Sequence, residues 1–212
     1  MPGAADRWCL VVPVKRLAAA KTRLGPPFDA SRGALALAFA LDTTVAALAC
    51  PDVLAVVVVT DDPTAAQQLA AVGAEVVGDE PHAGLNPALE HGAAVARRSY
   101  PACGAGALSA DLPALRADEL AAALTAAGAH RRSFVRDAEG SGTTLVLARP
   151  DERLRPAFGP SSAARHAAAG YVELAGEGLA TVRQDVDTAA DMERARGIGV
   201  GPHTRALLLD IQ

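Results

Sequence analysis

Both lysines of the 212-residue chain fall in one stretch, Val12-Pro13-Val14-Lys15-Arg16-Leu17-Ala18-Ala19-Ala20-Lys21-Thr22-Arg23-Leu24, although the chain holds 18 arginines. Where surface positive charge otherwise defaults to arginine, this clustering is either a clamp on a polyphosphate or a solvated basic turn. A second feature is Ala110-Asp111-Leu112-Pro113, where a buried apolar run meets a proline-stopped turn. An aspartate there suits a hard divalent cation, because Mg²⁺ takes one or two carboxylates together with substrate phosphate oxygens. Alone it reads as a cap or turn residue. Asp185-Val186-Asp187-Thr188 shifts that balance. Alternate residues of an extended segment point the same way, so two carboxylates share one face and form a metal site if Asp111 is near. Asp187 has a competing role as the cap of the final helix.

Two small-residue loops, Gly140-Ser141-Gly142-Thr143-Thr144 and Phe158-Gly159-Pro160-Ser161-Ser162, offer amides and hydroxyls to a small anion, or are plain turns. Asp61 and Asp62 end an apolar strand and either approach a ribose or supply a helix cap. Other chemistries lack their signatures. No Gly-x4-Gly-Lys-Ser/Thr, Gly-x-Gly-x-x-Gly or Gly-x-Ser-x-Gly occurs, which argues against a P-loop hydrolase, a Rossmann dehydrogenase and an acyl-transfer elbow. His82, His91, His130 and His203 share no zinc-type spacing, and His166 reads as a packing or capping residue.

The elements that must carry these residues follow from apolar periodicity. Strands are expected at Trp8 to Val14, Val53 to Thr60, Ala74 to Val77 and Gly104 to Ser109, alternating with helices. Those helices begin near Asp29 or Ser31, at Asp62-Pro63, at Asn86 and at Ala117. That alternation is the pattern of βα units on a largely parallel sheet. After about residue 130 the rhythm changes. Ser133 to Arg136 and Thr144 to Ala148 are too close for a parallel crossover and are expected to be antiparallel or splayed. A helix around Ala163 to Ala169, strands at Tyr171 to Leu174 and Ala180 to Gln184, a helix from Thr188 to Arg196 and an apolar docking segment at Ala206 to Ile211 complete the reading. In open α/β sheets ligands bind beyond the carboxyl ends of the strands, where the lysine loop, Asp111 and Asp185-Asp187 all fall.

Composition bounds the rest. Half the residues are hydrophobic and 21% are charged, with a net charge of −4, so one well-buried domain over residues 1–212 is expected. Aromatic residues make up 3% and no basic patch is evident, which argues against nucleic acid as a partner. No apolar run was expected to approach the roughly 20 residues that span a bilayer, and no signal-type leader is evident, so the expectation is a cytoplasmic protein without a membrane partner. Cys9, Cys50 and Cys103 share no metal spacing and read as small core residues.

With these residues in hand, the chain resembles the guanylyltransferases of deazaflavin coenzyme F-420 biosynthesis, which join GTP to a small phosphorylated three-carbon acid. It is most similar to the bacterial phosphoenolpyruvate guanylyltransferases. The resemblance runs through the lysine loop, Ala110-Asp111-Leu112-Pro113-Ala114-Leu115, Arg131-Arg132-Ser133-Phe134-Val135, Phe158-Gly159-Pro160 with Ser162 and Arg165-His166, and Asp185-Val186-Asp187-Thr188. It implies a three-layer α/β sandwich with a mixed, mostly parallel sheet, of the kind found in nucleotide-diphospho-sugar transferases and molybdenum-cofactor nucleotidyltransferases. It further implies that Asp111, Asp185 and Asp187 hold Mg²⁺, and that Thr143, Gly159 and Ser162 contact phosphoenolpyruvate. Lys15 and Lys21, with Arg16 and Arg23, would face the GTP triphosphate, and Asn86 would touch the nucleotide. The next transferase of the pathway is an implied partner. Alternative acceptors are 2-phospho-L-lactate and 3-phosphoglycerate. A molybdopterin nucleotidyltransferase would begin with Leu-x-Gly-Gly where this chain has Val-Pro-Val-Lys, and a nucleotide-binding module without turnover would need no metal triad.

Overall fold

Apolar runs without polar interruption need cover on both faces, and the two that begin at Trp8 and Val53 sit side by side inside the sheet. A computed structural model describes residues 7–19, 21, 23–26, 28–80 and 82–210. Ala20 and Thr22 of the lysine loop, Pro27 and Ile211 lie outside the described residues. The elements are β1 (Trp8–Pro13), α1 (Arg32–Ala49), β2 (Val53–Val59), α2 (Pro63–Ala71), β3 (Glu75–Val77), α3 (Leu85–Ser99), β4 (Gly104–Leu108), α4 (Ala117–Ala127), β5 (Arg132–Arg136), β6 (Thr143–Ala148), α5 (Ser162–Ala168), β7 (Val172–Glu173), α6 (Ala180–Arg183), α7 (Ala189–Ile198) and α8 (Pro202–Asp210). The strand order is β3-β2-β1-β4-β6-β5-β7. The pairs β1/β2, β1/β4, β2/β3 and β5/β7 are parallel, while β6 runs antiparallel to both β4 and β5. The sheet is therefore mixed and mostly parallel, and the short β5–β6 connection gives the antiparallel hairpin its length allows.

Alternation along the strands separates two core layers. Leu10, Val12, Val56 and Val58 pack with Leu41, Leu69, Leu120 and Val182 from α1, α2, α4 and α6. Val11, Val59 and Ala107 point the other way, against Ala88, Leu89 and Ala93 of α3 and Ala163 of α5. Glycine permits the closest approach in this second layer. A Cβ on Gly92 would stand 2.5 Å from a Val11 methyl and 2.7 Å from a Val59 methyl, so any larger residue would push α3 off β1 and β2. Cys9 and Cys50 are buried as expected, and Cys103 is partly so.

Three expectations are corrected. Ala180–Arg183 is a helical turn rather than a strand, because the Glu119 carboxylate accepts both the backbone N–H and the hydroxyl of Thr181 (2.7 and 2.9 Å) and so satisfies the first turn from another element. Asn86 lies inside α3. The N-cap is Gly84, at φ +104°, a conformation that glycine adopts without steric penalty. Residues 29–49 are, by length and composition, apolar enough to cross a bilayer. In this fold the helix turns Leu35, Phe39, Ala40 and Leu41 into the interior.

Candidate active site

Asp111 is fixed by its neighbours before its carboxylate does anything. Buried Thr43 of α1 donates its hydroxyl to the Ala110 carbonyl (3.3 Å) and accepts the Leu112 N–H (3.1 Å), so it grips the chain on both sides of Asp111. The Asp111 carbonyl accepts the Val186 N–H (3.0 Å), and this bond brings the Asp185-Val186-Asp187 segment alongside. The other fate of Asp187 is already filled. Thr188 caps α7 in a reciprocal capping box with Asp191, which leaves the Asp187 carboxylate facing the site.

Those carboxylates meet the lysine loop at a cavity of about 320 Å³ beyond the ends of β1 and β4, lined by Lys15, Lys21, Arg23, Asp111, Phe158 and Asp187 among others. Lys21 Nζ bridges Asp111 Oδ2 at 2.5 Å and Asp187 Oδ1 at 3.0 Å, and Arg23 also pairs with Asp187. Burial by itself would lower the Lys21 pKa. The two carboxylates outweigh it and hold the ammonium above its ordinary range. Lys21 also sits at φ +52°, an uncommon conformation for a residue with a Cβ. The loop is tied down by Asp62, which caps α2 through the N–H groups of Thr64 and Ala65 and accepts the Leu17 N–H at 3.0 Å. Those backbone bonds, the one from Leu17 first, hold the Asp62 pKa below the usual carboxylate range.

Asp185 belongs to the same charge cluster. Burial first, then the negative charges of Asp111, Asp137 and Asp187, push its pKa up to about 8. Asp137 was missed in the sequence because nothing local marks it. It is buried, its Oδ2 accepts the Gly142 N–H at 2.7 Å, and its Oδ1 has no hydrogen-bond partner among the described residues. An oxygen-only donor set, already bridged by one cation and holding an orphan buried acceptor, fits a hard divalent ion. A separate group, Asp61, Asp79 and His82, places one possible ligand atom from each residue within 4.8 Å of the others.

The remaining expected residues do not line this cavity. Arg16 faces a neighbouring cavity of about 290 Å³, whose lining also includes Lys15. Thr143, Gly159 and Ser162 are absent from its lining; Thr143 and Ser162 are buried, and beside Thr143 lies His166, a residue without exposed surface. The Ala157 N–H donates to His166 Nε2 (2.9 Å), so the ring proton is on Nδ1 and is donated to Thr143 Oγ1 (3.0 Å). Burial first, then Arg165, lowers the His166 pKa to about 4, and the ring is neutral among Phe134, Phe158 and Tyr171. Ser162 donates its backbone N–H to the Gly159 carbonyl (3.1 Å). Gly159 is at φ +120°, and a Cβ there would lie 3.0 Å from the Arg165 guanidinium. Asn86 donates to the Phe158 carbonyl (3.1 Å) and accepts the Phe158 N–H (2.8 Å), so both ends of its amide hold the Phe158-Gly159 loop against α3.

The sheet order is that of the fold shared by nucleotide-diphospho-sugar transferases and cytidylyltransferases. Among solved structures, 4-diphosphocytidyl-2C-methyl-D-erythritol synthase superposes with a TM-score of 0.58 at 14% identity, covering 91% of this chain and 98% of that one. The chain belongs to the family described as guanylyl transferase CofC like, whose model matches residues 8–174. It is 58% identical over 200 residues to the phosphoenolpyruvate guanylyltransferase of Thermomonospora curvata, covering 94% of this chain and 88% of that protein. It is 56% identical over 202 residues to the protein of the same name from Streptomyces coelicolor, covering 95% of each.

Proposed function

We propose that this protein transfers GMP from GTP to phosphoenolpyruvate, giving enolpyruvyl-diphospho-guanosine and pyrophosphate in coenzyme F-420 biosynthesis, with residues 1–212 acting as one nucleotidyltransferase domain. The observation that carries the reading is the Asp111–Lys21–Asp187 bridge at a cavity beyond the strand ends, with Lys15 and Arg23 on the same walls. Full-length likeness to enzymes named for phosphoenolpyruvate supports the choice of acceptor.

The chemistry follows from charge. A phosphate acceptor is ionised at neutral pH, so its oxygen attacks the α-phosphorus without a strong general base, and pyrophosphate leaves on the opposite side. The obstacle is repulsion between two anions. Lys15, Lys21 and Arg23 offset it along the triphosphate, and Asp111, Asp185 and Asp187 would hold a divalent cation, in this proposal Mg²⁺. Such an ion would supply charge neutralisation for the anions that meet and part there. Thr143, Gly159 and Ser162 are assigned to the acceptor. His166 fixes the Thr143 hydroxyl and Asn86 fixes the loop that carries Gly159.

The test incubates the protein with GTP, Mg²⁺ and, separately, phosphoenolpyruvate, 2-phospho-L-lactate and 3-phosphoglycerate, with the next transferase of the pathway present to draw off product. Pyrophosphate release with GTP and phosphoenolpyruvate is expected. Release only with another acid overturns the acceptor, and silence with every pair overturns the reaction.

A further inference from the structure

Beside the catalytic cavity lies the second one, of about 290 Å³, and the two share Pro13, Val14, Lys15 and Leu85 as walls. A ligand that places phosphates in the first therefore has room to extend into the second. The second cavity is lined by apolar Val59, Leu85 and Ala88 and ends on Asp61, Asp79 and His82. Its volume equals that of roughly ten waters at about 30 Å³ each, room enough for a planar base.

The two aspartates are in different states. Asp61 is fully used: Oδ1 accepts the Asp79 N–H at 3.0 Å and Oδ2 pairs with His82 Nδ1 at 3.1 Å. The Asp79 carbonyl in turn accepts the His82 N–H (3.1 Å), so Asp61 and this turn shape the segment after β3. Asp79 Oδ1, by contrast, is shielded from solvent and has no hydrogen-bond partner among the described residues. A shielded carboxylate oxygen without a donor is costly, and a turn of the carboxylate toward the cavity, which Asp79 already lines, would bring it to one. A cation is the poorer occupant. Both Asp61 oxygens already have partners and His82 is one of them, which leaves Asp79 to ligate it alone.

We infer that Asp79 is the guanine-reading residue of this enzyme, its carboxylate accepting the N1–H and the 2-amino group of the base in the cavity between β2, β3 and α3. This deepens the proposed function and rests on it. A carboxylate selects guanine because the base presents two adjacent donors on that edge. Adenine and cytosine present a ring nitrogen lone pair beside their amino group, which opposes a carboxylate. Asp61 is a positioning residue that holds Asp79 by its backbone.

The test is equilibrium binding by calorimetry on the full chain, wild type and Asp79→Asn, with GTP, ITP, XTP and ATP and no acceptor present. Wild type is expected to prefer GTP to ITP, which lacks the 2-amino donor, by roughly tenfold to a hundredfold. Asp79→Asn keeps an acceptor for N1–H but turns an amide donor toward C2. It should lose that preference and gain XTP, which carries a carbonyl there. Asp79→Ala should lose the preference without gaining XTP, and its melting temperature separates loss of recognition from loss of fold. A variant that keeps wild-type selection among GTP, ITP and XTP overturns the inference while leaving the enzyme reading intact. Loss of a Mn²⁺ site in Asp79→Asn with nucleotide selection unchanged assigns the cluster to a metal and also overturns it. Wild-type protein that binds no guanine nucleotide sinks the proposed function as well.

Discussion

Lys21 sits where two carboxylates would otherwise repel each other, and that balance sets what single substitutions do. Asp111→Asn removes one charge from a crowded set while keeping shape, and the grip of Thr43 on residues 110 and 112 does not depend on the side chain. Turnover is expected to fall by about 100-fold or more with the melting temperature changed by only a few degrees, read by pyrophosphate release and thermal melts. A second prediction concerns pH. Asp185 has a native pKa near 8 against an ordinary 3.8, so the folded chain holds a proton that the unfolded chain has lost, and stability falls as pH rises through that window. His166 acts in the opposite sense: its native pKa near 4 against 6.5 costs stability as pH falls below 6.5. Between pH 6.5 and 8 Asp185 acts without His166. Without divalent ions, urea midpoints of the wild type should decline across that interval and those of Asp185→Asn should stay level; parallel declines would remove Asp185 from the account. The lysine pair, Asp111 and the Asp185-Asp187 pair were legible because their types and places after strands are local facts. Thr43 and Asp137 were not, and His166 was legible only as a packing residue, because each acts through a partner at least 23 residues away or through a loop that only the tertiary fold closes.

Among the elements, periodicity found the sheet strands and most helices, since each buried face repeats at its own period. It failed at Ala180–Arg183, whose β-branched Thr181 and Val182 favour a strand until Glu119 supplies the helical turn with its missing acceptor. It also gave Asn86 the wrong local job. Gly84 already provides the sharp entry to α3, and Asn86 faces across to Phe158 instead. That contact makes α3 and the Phe158-Gly159 loop one unit. Asn86→Ala removes two hydrogen bonds at about 1 kcal/mol each, so the loss is expected to reach about 2 kcal/mol. If Gly159 and Ser162 hold the acceptor, KM for the phospho-acid should rise several-fold while KM for GTP moves little. Equal rises in both would place Asn86 on the nucleotide rather than on the loop.

Across the whole molecule, the place of β6 in the sheet is the step that no local pattern could give, although its short connection to β5 made the antiparallel direction legible. Its insertion between β4 and β5 brings residues near 137 and 143 to the same end of the sheet as Asp111, and Val186 then docks on the Asp111 carbonyl. Four carboxylates from three segments far apart in sequence are thereby gathered near one another, and the fold bears their repulsion. A divalent cation that binds only the folded arrangement must then stabilise the entire chain by mass action. At a hundredfold excess over Kd the gain is about 2.7 kcal/mol, or roughly 5 to 10 °C in melting temperature for a chain of this size. Because Asp185 is mostly protonated near neutrality, its entry into the coordination set has to release that proton. Calorimetric titration with Mg²⁺ or Mn²⁺ at pH 7, in two buffers of different ionisation enthalpy, should report about one proton released per ion bound. Above pH 8 that release should fade and apparent affinity should level off. In Asp185→Asn it should vanish. Proton-neutral binding at pH 7 in the wild type would mean that the ion is held by Asp111 and Asp187 without Asp185, with Lys21 displaced toward the phosphates and the Asp185 proton left in place.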